Sequence, residues 1–297
     1  MASFATSVPG LIATQGFLYG FAFLFVNYPL LRMLNEWFVE RRSLAYGIMS
    51  TGAGCSGVGL PFLLESLLSK YGYQTTLQAT AVAQFIILLP MIPLLKGRLP
   101  ASRRGVLRKG DFNFFRQPLF YCFALTNFLE ALGYYICFSG TLGALVLAAN
   151  NLATICGQLA LGYITDHVNN VLILVFASSF VAAAASFTIW GYATSLAQLL
   201  SFSLLFGLAT GGFPCLWNKF GSALLEDPGP VYSFMAFGKG VGNVLTGPIS
   251  TPLVRGSVES GYGIGRFAPL ILYTGSMMLC SSLGVFGWPL MRKADKR

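Results

Sequence analysis

The sequence predicts an all-α integral membrane protein with about nine transmembrane helices. Hydrophobic residues make up 55% of its 297 residues and charged residues only 10%, whereas a soluble domain carries roughly a quarter charged residues. So few charges cannot cover the surface of a water-soluble protein of this length, and a lipid bilayer is the solvent that suits the composition. The apolar stretches do not alternate between polar and apolar residues, so transmembrane strands are not indicated.

Nine apolar stretches are the predicted transmembrane helices. Most are long enough to cross a hydrocarbon core of ~30 Å, which takes about 20 helical residues. Their approximate limits are 12–38, 44–68, 75–95, 117–138, 141–164, 171–194, 196–217, 231–254 and 268–290. The chain also contains 34 glycines, which allow such helices to pack closely against one another in lipid.

The basic residues orient these helices. They cluster at 41–42, 96–116 and 292–297, and the positive-inside rule places such segments in the cytoplasm. With alternating helices, the N-terminus is then external and the C-terminus cytoplasmic, and the expected location is multi-pass in the plasma membrane. The clusters explain the net charge of +9 without a nucleic-acid partner. The basic run within 96–116 serves topology or, alternatively, binds anionic membrane lipid.

The longest polar stretch, 96–116, reads as a cytoplasmic linker between two helical bundles. It follows a partial N-terminal bundle of three helices, 1–95, and precedes a C-terminal bundle of six helices, 117–291. Residues 292–297 form a cytoplasmic tail. Many secondary transporters are built from two related helical halves. On that plan the second bundle is complete and the first is three helices short of a twelve-helix protein.

Three motifs resemble those of a known transporter family. The strongest signal is the run WFVERRSLAYG at 37–47, which follows QGFLYG at 15–20. It resembles the fourth helix, the basic inner loop and the start of the fifth helix in the monocarboxylate-porter family of the major facilitator superfamily, most closely its fungal branch. The superfamily's inner loop between helices eight and nine resembles GQLALGYITD at 157–166, and helix eleven resembles GVGNVLTGPIS at 240–250.

The resemblance implies a major-facilitator-type bundle and a secondary transporter that works by alternating access, with no enzyme activity and no cofactor. The implied partner is a small organic solute, with a proton as a candidate co-substrate. The cargo stays open among a monocarboxylate, a vitamin such as riboflavin and an exported secondary metabolite. Nothing matches the family's helices one to three. The alternative is therefore a truncated relative that does not transport and has a binding or regulatory role, or none.

The motifs supply candidate topology or gating residues. Basic residues at the inner end of a helix anchor topology and can pair with terminal carbonyls. Glycines permit close helix contacts, either for rocking of one bundle against the other or for static packing, and proline kinks a helix. The candidates are Arg41, Arg42, Asp166, Gly242, Asn243 and Pro248.

Polar residues inside the predicted spans are candidates for a substrate cavity, because ionisable groups in lipid are costly. Asn127, Glu130 and Tyr134 share one face of the span 117–138. Lys239 can hold an anionic solute, or its side chain can simply reach towards the interface. Three further candidates carry a weaker signal, and the two asparagines among them can instead link neighbouring helices. They are Asn150, Asn151 and Trp217.

Arg32 and Glu36 are four residues apart on one helix and are expected to form a structural ion pair. His167 is the only histidine, and one loop histidine with scattered cysteines does not indicate a metal site. No phosphate-binding loop is present, so direct coupling to ATP is not indicated.

Overall fold

The computed structural model describes residues 2–4, 7–38, 41–98, 113–133, 140–168, 170–225, 228–254, 262–287 and 289. Within these ranges the chain forms helices and short connections, with no strand. The α-helices are α1 Val8–Leu11, α2 Tyr19–Trp37, α3 Arg42–Leu88, α4 Pro118–Gly133, α5 Gly140–His167, α6 Val171–Ala185, α7 Leu196–Thr210, α8 Phe213–Leu224, α9 Gly229–Val254 and α10 Ile264–Ser282. Five of them are joined or extended by π- or 3₁₀-helical turns, which lie at Ile12–Leu18, Leu89–Leu94, Ser186–Trp190 and Leu283–Gly287.

Six helical runs among the described residues are long and apolar enough to cross a bilayer. They are Pro9–Trp37, Arg42–Leu94, Gly143–His167, Val171–Trp190, Leu196–Leu224 and Phe267–Gly287. Phe17, Leu94 and Val244 expose 76%, 76% and 74% of their surface, and apolar side chains exposed to this extent suit contact with lipid. The predicted fold class, an all-helical membrane bundle, is confirmed.

The described parts of the nine predicted spans all contain helical segments, although only six runs among the described residues meet the length and hydropathy expected of a span. Arg42–Leu94 is one run of 53 residues that takes in two predicted spans. α4 has 16 described residues, and α9 is not among the six. The long run is interrupted at Gly72, with φ 75° and ψ 172°, where the sequence predicts a turn. Glycine adopts a positive φ without the steric cost that a Cβ would add.

The chain divides into two compact units. The first consists of residues 1–40 and 59–107, and the second of residues 41–58 and 108–297. In the first unit, the indole Nε1 of Trp37 donates a hydrogen bond of 3.1 Å to the carbonyl oxygen of Lys96. The partition predicted from the sequence around 96–116 stays a prediction, and most of that linker lies outside the described residues.

The second unit contains two apolar clusters. The first lies where α4, α6, α8 and α9 meet, and in it the rings of Phe123 and Phe220 stack with centroids 4.0 Å apart. The second lies between α5, α6, α7 and α10 around the fully buried Trp190. The indole Nε1 of Trp190 donates to the carbonyl oxygen of Tyr262 at 3.1 Å, as buried tryptophans usually find such an acceptor. These clusters fix the positions of the helices that carry the polar side chains described next.

Candidate functional site

A buried ion pair joins α4 to α9. The ammonium Nζ of Lys239 donates to Oε1 and Oε2 of Glu130 at 3.2 and 3.0 Å. The carboxylate side chain is 0% accessible and the lysine side chain 15% accessible. Charges in so apolar a setting persist only when they are paired, and this pair satisfies both oxygens of the carboxylate.

The two helices come close enough for this contact because one residue of α9 lacks a side chain. A Cβ built on Gly242 would lie only 2.6 Å from the Cβ of Ala131 on α4. One turn later, the hydroxyl of Thr246 lies 3.3 Å from the carbonyl oxygen of Leu132. Residue numbers rise together along both helices through these contacts, so α4 and α9 run in the same direction. This agrees with two spans separated by an odd number of crossings.

Asn127 ties a third helix to the pair. Its Nδ2 donates to the carbonyl oxygen of Met235 on α9 at 2.7 Å, and its Oδ1 accepts from the indole Nε1 of Trp217 on α8, also at 2.7 Å. The Nζ of Lys239 lies 5.9 Å from the centroid of the Trp217 ring, within the distance at which a cation is attracted by an aromatic face. We call Asn127, Glu130, Trp217 and Lys239 the polar network.

A row of aromatic rings continues from the polar network towards the start of α3. The ring of Tyr232 meets that of Trp217 edge to face at 5.2 Å, and the ring of Tyr46 lies 5.1 Å from Tyr232. Tyr46 is buried, with 2% of its surface exposed. The beginning of α3 therefore packs beside the charged site through aromatic contacts.

Of the predicted cavity residues, the structure brings Asn127, Glu130 and Lys239 into direct contact or one helical turn apart. Tyr134 lies outside the described residues. The weaker candidate Trp217 joins the network, and the sequence signal for it is a tryptophan inside an apolar span whose N–H needs an acceptor. The pairing of Glu130 with Lys239 was not predicted.

The two other asparagines predicted as cavity candidates, Asn150 and Asn151, lie where α5 contacts neighbouring helices. Asn150 is 6% exposed, and a Cβ on Gly207 of α7 would lie 2.9 Å from its Oδ1. Asn151 uses its Nδ2 to donate to the carbonyl oxygens of Gly57 and Leu147 at 3.1 and 2.9 Å. Asn151 thus links α5 to α3, whereas the buried Oδ1 of Asn150 accepts no hydrogen bond from the described residues, and a cavity role for either residue stays a prediction.

A second polar contact holds the first turn of α3. The two carboxylate oxygens of Asp166, at the end of α5, accept from the backbone N–H groups of Ser43 and Leu44 at 3.1 and 3.0 Å. The first N–H groups of a helix have no acceptor within it, and a negative charge is favourable at that end of the helix dipole. Asp166 thus caps α3 from a different helix.

Glycines line the contact between α3 and α5. A Cβ built on each would lie between 2.5 and 2.9 Å from an atom of the other helix, closer than real Cβ atoms come to a neighbour. We call these four residues the glycine seam: Gly47, Gly54, Gly57 and Gly162. Along the seam the numbers rise on α3 as they fall on α5, so the two helices are antiparallel.

The remaining motif residues occupy varied positions. Arg41 is exposed immediately before α3, and Arg42 is its first residue, half-buried. Asn243 and Pro248 are exposed on α9, which continues through the proline. A gating role for these residues and for Gly242 stays a prediction. The expected pair of Arg32 with Glu36 cannot be followed, since the side chain of Arg32 lies outside the described residues.

The sequence pattern of the Major Facilitator Superfamily matches residues 1–247, which are most of the chain and include every residue of the polar network and the glycine seam. The chain belongs to the major facilitator superfamily. Members of this superfamily are multi-pass membrane transporters of small-molecule solutes, and the predicted family membership is confirmed at this level.

Three fungal relatives show the same affiliation. The chain is 28% identical to the Agnestins efflux protein AgnL12 of Paecilomyces divaricatus, over 94% of this chain and 66% of that protein. It is 24% identical to the MFS transporter asaE of Aspergillus flavus, over 94% and 65%. It is 27% identical to the MFS-type transporter hasB of Aspergillus fumigatus, over 94% and 68%. The chain thus spans about two thirds of the length of these curated relatives.

Proposed function

We propose that this chain is a secondary transporter of a small organic anion, of the monocarboxylate-porter type. The observation that carries the proposal is the unequal exposure of the buried ion pair. Lys239 keeps 15% of its side chain accessible, whereas Glu130 keeps none. A solute that approaches this site therefore contacts the lysine side chain and not the fully buried carboxylate. The pair therefore favours an anion over a cation as the solute.

Solute binding at Lys239 gives a route to proton coupling. When an anion replaces the carboxylate as the partner of the ammonium group, Glu130 is left buried without its counter-charge. An unpaired charge in this setting costs several kcal/mol, and a proton on the carboxylate removes that cost. The proposed cycle therefore moves one proton with each singly charged anion.

Alternating access requires a contact that can break and re-form. The cap that Asp166 provides for α3 consists of two hydrogen bonds accepted by a charged group, and at the glycine seam α3 itself contributes no side chain at Gly47, Gly54 and Gly57. We place the cytoplasmic gate here. The positive-inside distribution supports a cytoplasmic C-terminus, and we place the chain in the plasma membrane.

The cargo is best sought among acidic secondary metabolites that leave the cell. Two relatives carry names that state efflux, the Agnestins efflux protein of Paecilomyces divaricatus and the Fujikurins efflux protein of Gibberella fujikuroi. Export of an acidic metabolite fits both these names and the partly accessible side chain of Lys239. A short monocarboxylate and riboflavin are the competing cargoes.

Flux into proteoliposomes tests the proposal. The purified chain is reconstituted, and uptake of radiolabelled 6-methylsalicylate, lactate and riboflavin is compared with that of protein-free liposomes under an imposed proton gradient. Transport of an acid is expected. Lys239→Met should lower it at least tenfold, whereas Lys70→Met, which removes an exposed lysine of α3, should leave it unchanged. Folded protein without flux of any of these solutes would contradict the proposal and favour the second candidate, a non-transporting membrane relative.

A further inference from the structure

Asn127 lies at the centre of the polar network, yet a solute cannot reach it in this structure. Asn127 is 0% exposed and Trp217 is 6% exposed. Of the four network residues, Lys239 is the most accessible. The buried pair, Asn127 and Trp217, must therefore act through the lysine and not by touching the solute.

The amide of Asn127 has only one suitable orientation. The indole N–H of Trp217 is a donor only, so it needs the Oδ1 of the amide, and the carbonyl of Met235 is an acceptor only, so it needs the Nδ2. A reversed amide would face donor with donor and acceptor with acceptor. An aspartate would repel the carbonyl of Met235, and a leucine would leave both groups without a partner. The two bonds of 2.7 Å thus fix the indole relative to α4 and α9.

The fixed indole and the carboxylate of Glu130 both hold the ammonium of Lys239. Glu130 holds it by hydrogen bonds and charge, and the face of Trp217 holds it at 5.9 Å. In the proposed cycle the hold of Glu130 is released when an anion binds. The ring of Trp217 then keeps the ammonium in place, and its orientation depends on Asn127.

We infer that Asn127 and Trp217 are positioning residues that set where the ammonium of Lys239 meets the solute. The inference rests on the proposed anion site at Lys239. Within the polar network, Asn127 and Trp217 determine the affinity for the anion, whereas Glu130 determines the linkage to the proton. Loss of either positioning residue therefore changes KM more than the maximal rate.

The first test needs no solute. Lys239 is labelled with acetic anhydride in the purified chain, and its modification is compared with that of the exposed Lys70 by peptide mass spectrometry. Asn127→Leu and Trp217→Leu should raise the Lys239-to-Lys70 ratio about threefold or more, because the ammonium loses its aromatic support. Trp217→Phe, which keeps a ring, should raise the ratio less than Trp217→Leu.

Trp190→Leu is the matched control. It also removes a buried indole whose N–H donates to a backbone carbonyl, that of Tyr262, but it lies in the second apolar cluster and outside the polar network. It should destabilise the fold without changing the labelling ratio. An equal rise of the ratio in Trp190→Leu would mean that general loosening exposes Lys239, and it would overturn the inference.

The second test measures uptake of 6-methylsalicylate by the same variants. Asn127→Leu and Trp217→Leu should raise KM about tenfold while the maximal rate falls less than threefold. Wild-type flux with an unchanged KM in both variants would overturn the inference and leave the proposed function standing. Conversely, a raised labelling ratio in a chain that transports no solute would contradict the proposed function and leave the positioning of Lys239 intact.

Discussion

A double-mutant cycle on the ion pair tests whether the charged site is built as described. The single variants are Glu130→Leu and Lys239→Met, and the third protein carries both substitutions. Each single variant removes one charge and leaves the other in an apolar environment. The double variant replaces both charged side chains by apolar ones of similar size, so no buried charge is left without its partner.

The structure predicts the order of the three losses. Lys239→Met leaves a carboxylate with no accessible surface, whereas Glu130→Leu leaves a lysine whose side chain is 15% accessible and whose flexible stem can carry the ammonium towards the polar interface. Removing one partner of a buried pair costs about 3–5 kcal/mol, and replacing both partners is often neutral. Lys239→Met should therefore cost about 3–4 kcal/mol, because protonating a carboxyl at pH 7 costs about that much and removes the stranded charge. Glu130→Leu should stay at or below about 3 kcal/mol, and the double variant should lose less than about 1 kcal/mol.

Thermal unfolding in detergent micelles, followed by circular dichroism, measures the cycle. With roughly 2 °C per kcal/mol for a chain of this size, Lys239→Met should lower Tm by about 7 °C, and the double variant should melt within about 2 °C of the wild type. If the loss in the double variant equals the sum of the two single losses, the side chains do not interact and the reasoning from the ion pair is wrong.

Three further predictions use the same melting assay. Asp166→Ala should cost about 1–2 kcal/mol through loss of the α3 cap, and an unchanged Tm would argue against the cap. Gly47→Ala should destabilise, since its Cβ would lie 2.6 Å from the carbonyl oxygen of Gln158, whereas Gly52→Ala, with nothing within 4 Å, should gain up to ~1 kcal/mol from helix propensity. Equal changes of Tm in Gly47→Ala and Gly52→Ala would contradict the close packing along the glycine seam. Ser281→Ala, which loses a bond to an α4 carbonyl at 2.9 Å, should cost about 0.6–1.7 kcal/mol.

The helices could be predicted from the sequence because their signal is local. A run of about 20 apolar residues specifies a membrane helix whatever its neighbours are. The break within the long run of α3 lies at Gly72, a residue type that adopts the positive φ observed there without steric cost. The connection of α4 to α9 carries no such local signal. It depends on two residues that are 109 positions apart in the chain.

The sequence predicts which residues of the candidate site share one helix face, but not which helix that face contacts. Asn127 and Glu130 are three residues apart, so their shared face follows from helix geometry alone. Which helix that face meets depends on the close approach allowed by Gly242, and a glycine pattern does not name its partner. The role of Trp217 was harder still to predict, since it depends on an acceptor supplied by α4. Contacts between helices, and not within them, account for what the sequence leaves undetermined.

The charge of the site leads to a last prediction. Glu130 and Lys239 together are neutral, so an anion that binds alone gives the apolar site a net negative charge, whereas an anion with a proton on Glu130 keeps it neutral. Wild-type uptake of an acid should follow a pH gradient and ignore a potassium–valinomycin potential. In Glu130→Gln the side chain at position 130 is permanently neutral, so the site accepts the anion without a proton. This variant should therefore exchange 6-methylsalicylate across the bilayer without a pH gradient but fail to concentrate it. A variant that still concentrates the acid would show that the proton binds elsewhere in the chain.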